Sequence, residues 1–373
     1  MSEQEQTRTA ASVEAASDRL NQGCFCVTLD KQALCRAFEQ ETGDAAFCAA
    51  LLETRPTLFS NVAVFVPSRI FERMLAVVRA IEAVSRLPAY RDAVLAWAPD
   101  IARHDPGPVG TFMGYDFHLT TDGPKLIEVN TNAGGAFLTA PLAQAQRSCC
   151  EDARQARSRS DTAHFEPAVL NMFQDEWSRQ GRPGTPKRIA IVDDDPEAQY
   201  LHPEFILAQR FFERHGIEAV VADGRHLSYE KGTLCVAGRP TDLVYNRLVD
   251  FALAQPEHAA LRSAYLDGAA VVTPNPRTHA LFADKRNLTL LSNRAQIIGQ
   301  GYPAWASGYR VGDHPHRLVW LVPLREMAAV PEPVQPRMGK GSLRPRGLAR
   351  QQQPVVATPA NHHPSGRGRG ARL

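Results

Sequence analysis

Residues 125–137 carry the most informative chemistry of the chain, because an apolar strand leads there into a loop of small residues. Glu128 stands inside the strand between Ile127 and Val129, where a lone carboxylate is costly unless it is paired or binds a cation. Side chains alternate along a strand, so Glu128 and Asn130 share one face. A carboxylate and an amide oxygen side by side are ligands that Mg²⁺ prefers. The alternative is a structural acid that pairs with a neighbouring Lys or Arg before a tight turn.

Two glycines, Gly134 and Gly135, follow this strand. Glycine lets the backbone approach a ligand closely, and successive N–H groups can turn toward an anion. Together with the oxygen ligands of Glu128 and Asn130, this loop predicts a metal–phosphate site at the end of a sheet.

A second group of candidate residues follows a predicted buried strand at 188–193. Asp193, Asp194 and Asp195 lie at the carboxyl end of that strand, which is where open α/β sheets bind ligands. Asp193 and Asp194 are therefore candidates for holding a cationic substrate. A solvated acidic loop is the alternative.

Two cationic residues are further candidates. Arg247 lies within an apolar predicted strand, where a charge needs a partner. A substrate carboxylate would serve as that partner, and so would a structural acid such as Asp242 or Asp250. Lys285 opens a short helical run and is either a phosphate contact or a surface lysine.

The strand of Glu128 is predicted to form half of a β-hairpin. Residues 110–119 and 125–130 have the composition of strands, and the Asp-Gly pair between them is a turn signal. The hairpin would bring Asp116 and His118 close to Glu128. His118 fits a satisfied polar residue better than a ligand or a base.

Further elements are predicted on either side of the hairpin. A strand is expected at 60–66 and a helix with an apolar stripe at 69–87. After a linker at 180–186, strands and helices alternate, which predicts a parallel, Rossmann-like sheet. The expected strands are 188–193, 217–222, 233–236, 242–248 and 269–273, and the expected helices are 167–180, 203–215, 257–266 and 285–292. No G-x-G-x-x-G follows any of these strands, so dinucleotide binding is not indicated.

Composition is that of an ordinary globular protein with room for two domains: 373 residues, 44% hydrophobic and 22% charged. No apolar run is long enough to span a bilayer, so no membrane partner is expected. Residues 1–20 lack the features of a secretory signal and are expected to form a mobile leader. The seven cysteines contain no C-x-x-C pair, which favours reduced thiols in a cytoplasmic protein and gives no support to a zinc site.

The C-terminal region differs from the rest of the chain. Residues 301–373 lose all periodicity and are expected to form a disordered basic tail. Residues 331–373 hold seven Arg and one Lys against one Glu, whereas the net charge of the whole chain is only +2. A basic tail suggests nucleic acid as a partner. These residues have no aromatic side chains to stack on bases, so specific nucleic-acid binding is not expected.

Three stretches, taken in order, resemble the glutathione-synthetase group of the circularly permuted ATP-grasp superfamily. The strand and loop LIEVNTNAGGAFL resemble that family's magnesium motif and the glycine-containing turn after it. The block RIAIVDDDPEAQYLHPEFILAQRFFERHGIEAVV, closed by DLVYNRLVDF, resembles its inserted substrate domain. VVTPNPRTHALFADKRNLTLLS resembles its re-entry segment, which carries an ATP-contacting lysine. The similarity runs from about residue 60 to about residue 297.

The resemblance implies an ATP- and Mg²⁺-dependent carboxylate–amine ligase. In such an enzyme ATP phosphorylates a carboxylate and an amine then displaces phosphate to give an amide, and the protein supplies positioning and charge neutralisation. Carried over to this sequence, the Mg²⁺ ligands are Glu128, Asn130 and Asp116, the ATP-binding residues are Lys285, Gly134 and Gly135, and the catalytic arginine that holds a substrate carboxylate is Arg247. Gly114 stands where the family has an arginine, so the substrate is expected to differ from the precursor of glutathione.

The expected fold class is α/β, with an incomplete ATP-grasp-like domain and an inserted Rossmann-like substrate domain. The expected division is a leader at 1–20, the N-terminal part of the ATP-grasp-like domain at 21–180, the substrate domain at 186–283, re-entry at 284–300 and the tail at 301–373. The family's second lysine strand, glycine-rich loop and further magnesium acids are not found after residue 297. We therefore expect a chain truncated or frameshifted at its C-terminus, which binds ATP weakly or not at all.

Two other functions stay open at this point. One is a non-catalytic protein that holds a small ligand at Asp193 and Arg247. The other is an interaction protein that works through the basic tail. The ligase hypothesis implies a small carboxylate and an amine as substrates. The sequence does not decide whether the protein forms a homo-oligomer.

Overall fold

The computed structural model describes residues 19–23, 29–61, 64–120, 123–147 and 164–292, together with the backbone of Val319–Trp320. Over these ranges the fold is mixed α/β and contains a four-stranded parallel sheet. Most of the predicted leader and tail lies outside the described residues. The exception in the tail is Val319–Trp320, which pairs in parallel with the hairpin strand that begins at Met113.

The described chain begins with helical residues 19–23, so the last two positions of the predicted mobile leader lie in a helix. Four further helices follow: α1 (Lys31–Thr42), α2 (Phe47–Thr54), α3 (Ser68–Val84) and α4 (Pro88–Leu95). Asp30 starts α1, because its carboxylate accepts hydrogen bonds from the N–H groups of Gln32 and Ala33. The helix predicted at 69–87 is confirmed as α3. The strand predicted at 60–66 is wrong where the structure describes it, since 64–67 form no strand. The side chain of Asn21 satisfies both the N–H and the carbonyl of Phe65, so no neighbouring strand is needed.

A disulfide joins Cys35 in α1 to Cys48 in α2. This corrects the expectation that the thiols are reduced. The turn between the two helices brings their Cα atoms to 5.1 Å, a proximity that a spacing of 13 residues does not reveal. Disulfides are rare in cytosolic proteins, so the cytoplasmic expectation loses the argument on which it was based.

The predicted hairpin is confirmed as β1 (Met113–Thr120) and β2 (Gly123–Asn130). Asp116 pairs with Glu128 and Phe117 pairs with Leu126, so Ile127 is an extra residue in β2. This bulge turns Ile127 outward, and it is 37% exposed instead of sharing the buried face of Val129. The buried side of the hairpin packs against α3 and α4, in a cluster that includes Met74, Val78, Tyr115 and Val129.

Between the hairpin and the parallel sheet, the described residues form two helices, α5 (Ala136–Ala145) and α6 (Phe165–Arg179). Further elements follow in the order β3 (Arg188–Asp193), α7 (His202–Arg214), β4 (Glu218–Asp223), β5 (Leu227–Glu230), β6 (Thr233–Val236), β7 (Arg239–Pro240), β8 (Leu243–Asn246), α8 (Ala259–Leu266), β9 (Val271–Thr273), α9 (Pro276–Phe282) and α10 (Asn287–Leu291). The predicted parallel sheet is confirmed, with strand order β4-β3-β8-β9. Strands β5, β6 and β7 form a separate antiparallel sheet, of which the sequence indicated only β6.

Both faces of the parallel sheet are covered. Alternate residues of β3 enter different cores, with Ile189 and Ile191 on one face and Ala190 and Val192 on the other. The first core also takes in side chains of α1, α2, α5, α6 and α7. One hydrophobic core therefore crosses the boundary that the sequence placed at 180–186. No helix of the described residues is long and apolar enough to cross a membrane.

Replacing Cys35 and Cys48 together by serine is expected to lower the free energy of unfolding by about 2–4 kcal/mol, because the cross-link restricts the unfolded chain. Denaturant-induced unfolding measures this loss. Cys235→Ser is the control, since Cys235 is a free, partly buried thiol on β6. Wild-type stability in the double variant would contradict a disulfide at this position.

Candidate functional site

Four of the residues selected from the sequence converge in one place: Asp116, Glu128, Asn130 and Lys285. We call this group the carboxylate–lysine cluster. Asp116 and Glu128 are direct partners across the β1–β2 ladder. Lys285 Nζ lies 2.8 Å from Glu128 Oε2, and Asn130 Nδ2 donates to Glu128 Oε1 at 3.3 Å. Three separate segments of the chain thus meet at Glu128.

The hairpin and the turn after α9 position these side chains. Glu128 and Asn130 lie on the face of the hairpin opposite to the buried Val129 and Tyr115. This agrees with the alternation along the strand. Lys285 follows α9 in a short turn and is 74% exposed, whereas Glu128 is 27% exposed. The cluster therefore opens to solvent on the side of the lysine.

The charges in the cluster do not balance, because two carboxylates face one ammonium group. The hydrogen bond from Lys285 is the main reason that the pKa of Glu128 is lowered. Burial and the adjacent negative charge of Glu128 raise the pKa of Asp116. The hydrogen bond to Glu128 raises the pKa of Lys285. A further cation beside Asp116 and Glu128 would relieve the repulsion between the two carboxylates.

The donor set suits a hard cation, since it offers carboxylate and amide oxygens. Among the described residues no group of three or more His, Cys, Asp or Glu side chains has the arrangement of a metal site. Asp116, Glu128 and Asn130 thus stay predicted ligands, with two carboxylates and one amide.

The glycine loop contacts the protein's own side chains. The N–H of Gly135 donates to Glu204 Oε2 at 2.7 Å, and the N–H of Phe137 donates to Glu204 Oε1 at 3.3 Å. Gly135 has a φ of 98°, which favours glycine and starts α5 with its N–H groups turned toward this carboxylate. The acceptor at these N–H groups is thus a carboxyl group of the protein itself, from α7, and the predicted phosphate site stays a prediction. A phosphate would have to compete with Glu204 for these donors.

Gly134 leaves room for three neighbouring side chains. A Cβ atom there would lie 2.3 Å from Leu201 Cδ1, 2.8 Å from Arg247 Nη2 and 3.2 Å from Glu204 Oε2. The close approach that glycine permits is therefore used by the protein itself.

Arg247 is 7% exposed and holds the same loop. Its Nη1 donates to the carbonyls of Asn132 at 2.6 Å and Ala133 at 2.9 Å. Its guanidinium also lies over the rings of Tyr245 and Phe205. Neither Asp242 nor Asp250 makes a hydrogen bond with Arg247 among the contacts of the described residues. A substrate carboxylate would therefore compete with the loop carbonyls for Nη1 of Arg247.

Asp193, which ends β3, and Asp194 lie at the carboxyl edge of the parallel sheet, beside the point where the strand order changes direction. Asp193 is 8% exposed, and burial raises its pKa to about 7. Asp194 Oδ1 lies 2.8 Å from His258 Nε2, and His258 Nδ1 lies 2.8 Å from Asp250 Oδ2. Burial opposes the charged form of His258, but the hydrogen bonds that its ring donates to both carboxylates outweigh this effect and raise its pKa. Asp194 is thus held by a histidine of the protein itself.

The sequence patterns did not indicate two buried residues that contact the candidate site residues, Glu204 and His258. Glu204 is in the first turn of α7, where an acid usually serves the helix dipole at the surface. No local pattern signals that it is only 1% exposed. His258 precedes a helix in a polar stretch, and its two carboxylate partners come from other segments.

No protein-family model matches this sequence, and comparison with curated proteins finds no significant match. The resemblance to ATP-grasp ligases therefore stays a prediction from the sequence motifs alone.

Gly134→Ala is expected to destabilise the protein by about 1–3 kcal/mol, because the added methyl overlaps Leu201 and Arg247. Thermal or denaturant unfolding measures the change. Gly23→Ala is the control, since an added Cβ at Gly23 meets nothing within 4 Å. Equal effects of the two substitutions would contradict the packing described for the loop.

Asp193→Asn is expected to change the pH dependence of stability. The pKa of Asp193 is raised from 3.8 to about 7 by burial, so its stabilising contribution is complete below the lower value and is lost as pH rises to the upper one. The wild type should lose stability relative to the variant over that window, by about 1.4 kcal/mol for each pH step of one. Unfolding free energies measured from pH 4 to 8 test this, and a constant difference between the two proteins would refute it.

Proposed function

We propose that this protein is an ATP- and Mg²⁺-dependent carboxylate–amine ligase of the ATP-grasp type. The observation that carries the proposal is the convergence of Asp116, Glu128, Asn130 and Lys285. The last of these lies far along the chain from the other three, yet its ammonium group contacts Glu128 at 2.8 Å. A structural ion pair accounts for Glu128 and Lys285, but it does not account for a second carboxylate at Asp116.

The residues of the cluster fit the proposed ligands. Asp116, Glu128 and Asn130 would hold Mg²⁺ through oxygen atoms. Lys285 is exposed enough to exchange its contact with Glu128 for a phosphate oxygen. Bound Mg²⁺·ATP would supply the phosphoryl group that activates a carboxylate for attack by an amine. The chain's own part is to position the phosphates and to neutralise their charge.

The parallel sheet supplies the proposed substrate region. Asp193 and Asp194 stand at its carboxyl edge and would attract an amine. Arg247 would hold a carboxylate in this proposal once the loop released it. The assignment of the parallel-sheet region as an inserted, Rossmann-like substrate domain is part of the proposal.

The second candidate is a non-catalytic protein that binds a small ligand at Asp193 and Arg247. It is favoured by one observation: Glu204 already occupies the N–H donors of Gly135 and Phe137. If Glu204 keeps these donors, the loop contributes nothing to phosphate binding.

Calorimetric titration with Mg²⁺·ATP tests the proposal on the wild type and on Glu128→Ala. Loss of one metal ligand should weaken binding by about tenfold or more. Lys285→Met should also weaken it, because a phosphate contact is lost. Glu230→Ala is the matched control, since Glu230 is an exposed acid on β5, outside the cluster.

Binding that the control retains and the cluster variants lose would support a nucleotide site. Binding that all variants retain would place the nucleotide elsewhere and refute the assignment. If the wild type binds neither Mg²⁺·ATP nor Mg²⁺ alone, the ligase proposal fails for this chain, and the small-ligand alternative is then tested with amino acids and dicarboxylates.

A further inference from the structure

The loop between β2 and α5 is held by two opposite charges from the α/β region. Arg247, just after β8, donates to the carbonyls of Asn132 and Ala133. Glu204, in the first turn of α7, accepts from the N–H groups of Gly135 and Phe137. The guanidinium binds backbone carbonyl groups and the carboxylate binds backbone N–H groups, so together they fix both the acceptors and the donors of the loop.

Both charges are buried, which makes these contacts costly to release. Glu204 is 1% exposed and Arg247 is 7% exposed. A buried charge that loses its partner remains uncompensated in a medium of low polarity. Arg247 also stabilises the ionised form of Glu204, although burial raises the pKa of Glu204 overall. The loop therefore cannot move without disturbing both residues.

The held segment begins directly after the carboxylate–lysine cluster. Thr131 follows Asn130, and its Oγ1 lies 3.2 Å from His279 Nδ1 on α9. The space that a side chain at Gly134 would need is filled by Leu201, Arg247 and Glu204. The end of β2 is consequently fixed from the α/β side within a few residues of Glu128 and Asn130.

We propose that Glu204 is a positioning residue that, together with Arg247, couples the α/β region to the carboxylate–lysine cluster. The expected effect of Glu204 on cation binding rests on the proposed function. The coupling between the loop and the carboxylate–lysine cluster does not. Release of either charge from the loop loosens the end of β2 and with it the contact between Glu128 and Lys285. A ligand that draws Arg247 away from the loop would loosen the contact between Glu128 and Lys285 in the same way. By linkage, a ligand bound at the cluster would change the affinity for a ligand at Arg247 by the same factor.

Glu204→Gln tests the coupling, because it removes the charge and keeps one oxygen acceptor. Asp242→Asn is the matched control. The carboxylate of Asp242 likewise accepts two backbone N–H groups, from Lys187 at 2.7 Å and Arg188 at 3.0 Å, but within the α/β region alone. Arg247→Lys is a second variant, which keeps the buried charge and removes the planar fork.

Two readouts are taken beside thermal unfolding. The first is the acetylation rate of Lys285, followed by mass spectrometry in the absence of any cation. Lys285 Nζ lies 2.8 Å from Glu128 Oε2, so a looser contact leaves the amine more accessible to the reagent and should raise the rate several-fold. The second is calorimetric titration with Mn²⁺ alone, where loss of the supporting contacts should weaken binding by about tenfold or more.

A faster Lys285 reaction in Glu204→Gln and Arg247→Lys, with no change in Asp242→Asn, would support the coupling. Lower melting temperatures with an unchanged Lys285 rate would reduce Glu204 to a structural role and overturn the inference. Absence of Mn²⁺ binding in the wild type would count against the proposed function only, since the acetylation rate still decides the coupling.

Discussion

The structure depends on satisfying two buried opposite charges at one loop. Glu204 and Arg247 could not remain ionised in a hydrophobic region without partners, and the backbone between Asn132 and Phe137 provides these partners. That requirement brings α7 and the end of β8 onto the segment that joins β2 to α5. The position of the hairpin relative to the parallel sheet follows from this contact and from the packing of Ala136 and Phe137, at the start of α5, into the core of the sheet.

The same constraint changes the meaning of the glycine loop. A loop with two glycines after an acidic strand is typical of a phosphate cradle, and the N–H groups do point at an anion. The anion is internal, and the space above Gly134 is filled by Leu201 and Arg247. The carboxylate–lysine cluster is different, because Lys285 is 74% exposed and Asp116 forms no ion pair of its own within the part of the chain that the structure describes. An external cation or phosphate could approach the side chains of this cluster from solvent.

The disulfide illustrates a related limit of reasoning from composition. Seven cysteines without a recognisable spacing favoured free thiols, yet α1 and α2 turn back on each other and place Cys35 beside Cys48. A pairing of this kind depends on the angle between two helices, which the number and spacing of the cysteines do not encode.

The sequence by itself determined the local elements and much of the cluster. Alternation along a strand placed Glu128 and Asn130 on one face, and β3 and β6 have the predicted bounds, because these properties depend on neighbours in the chain. Only the tertiary structure decided the partners. The bulge that exposes Ile127, the burial of Glu204 and the use of Arg247 on a loop more than a hundred residues away all arise from long-range contacts. Such contacts join segments that are distant in the chain. The residue pattern of one segment does not indicate which other segment it will contact, so these contacts could not be predicted from local sequence.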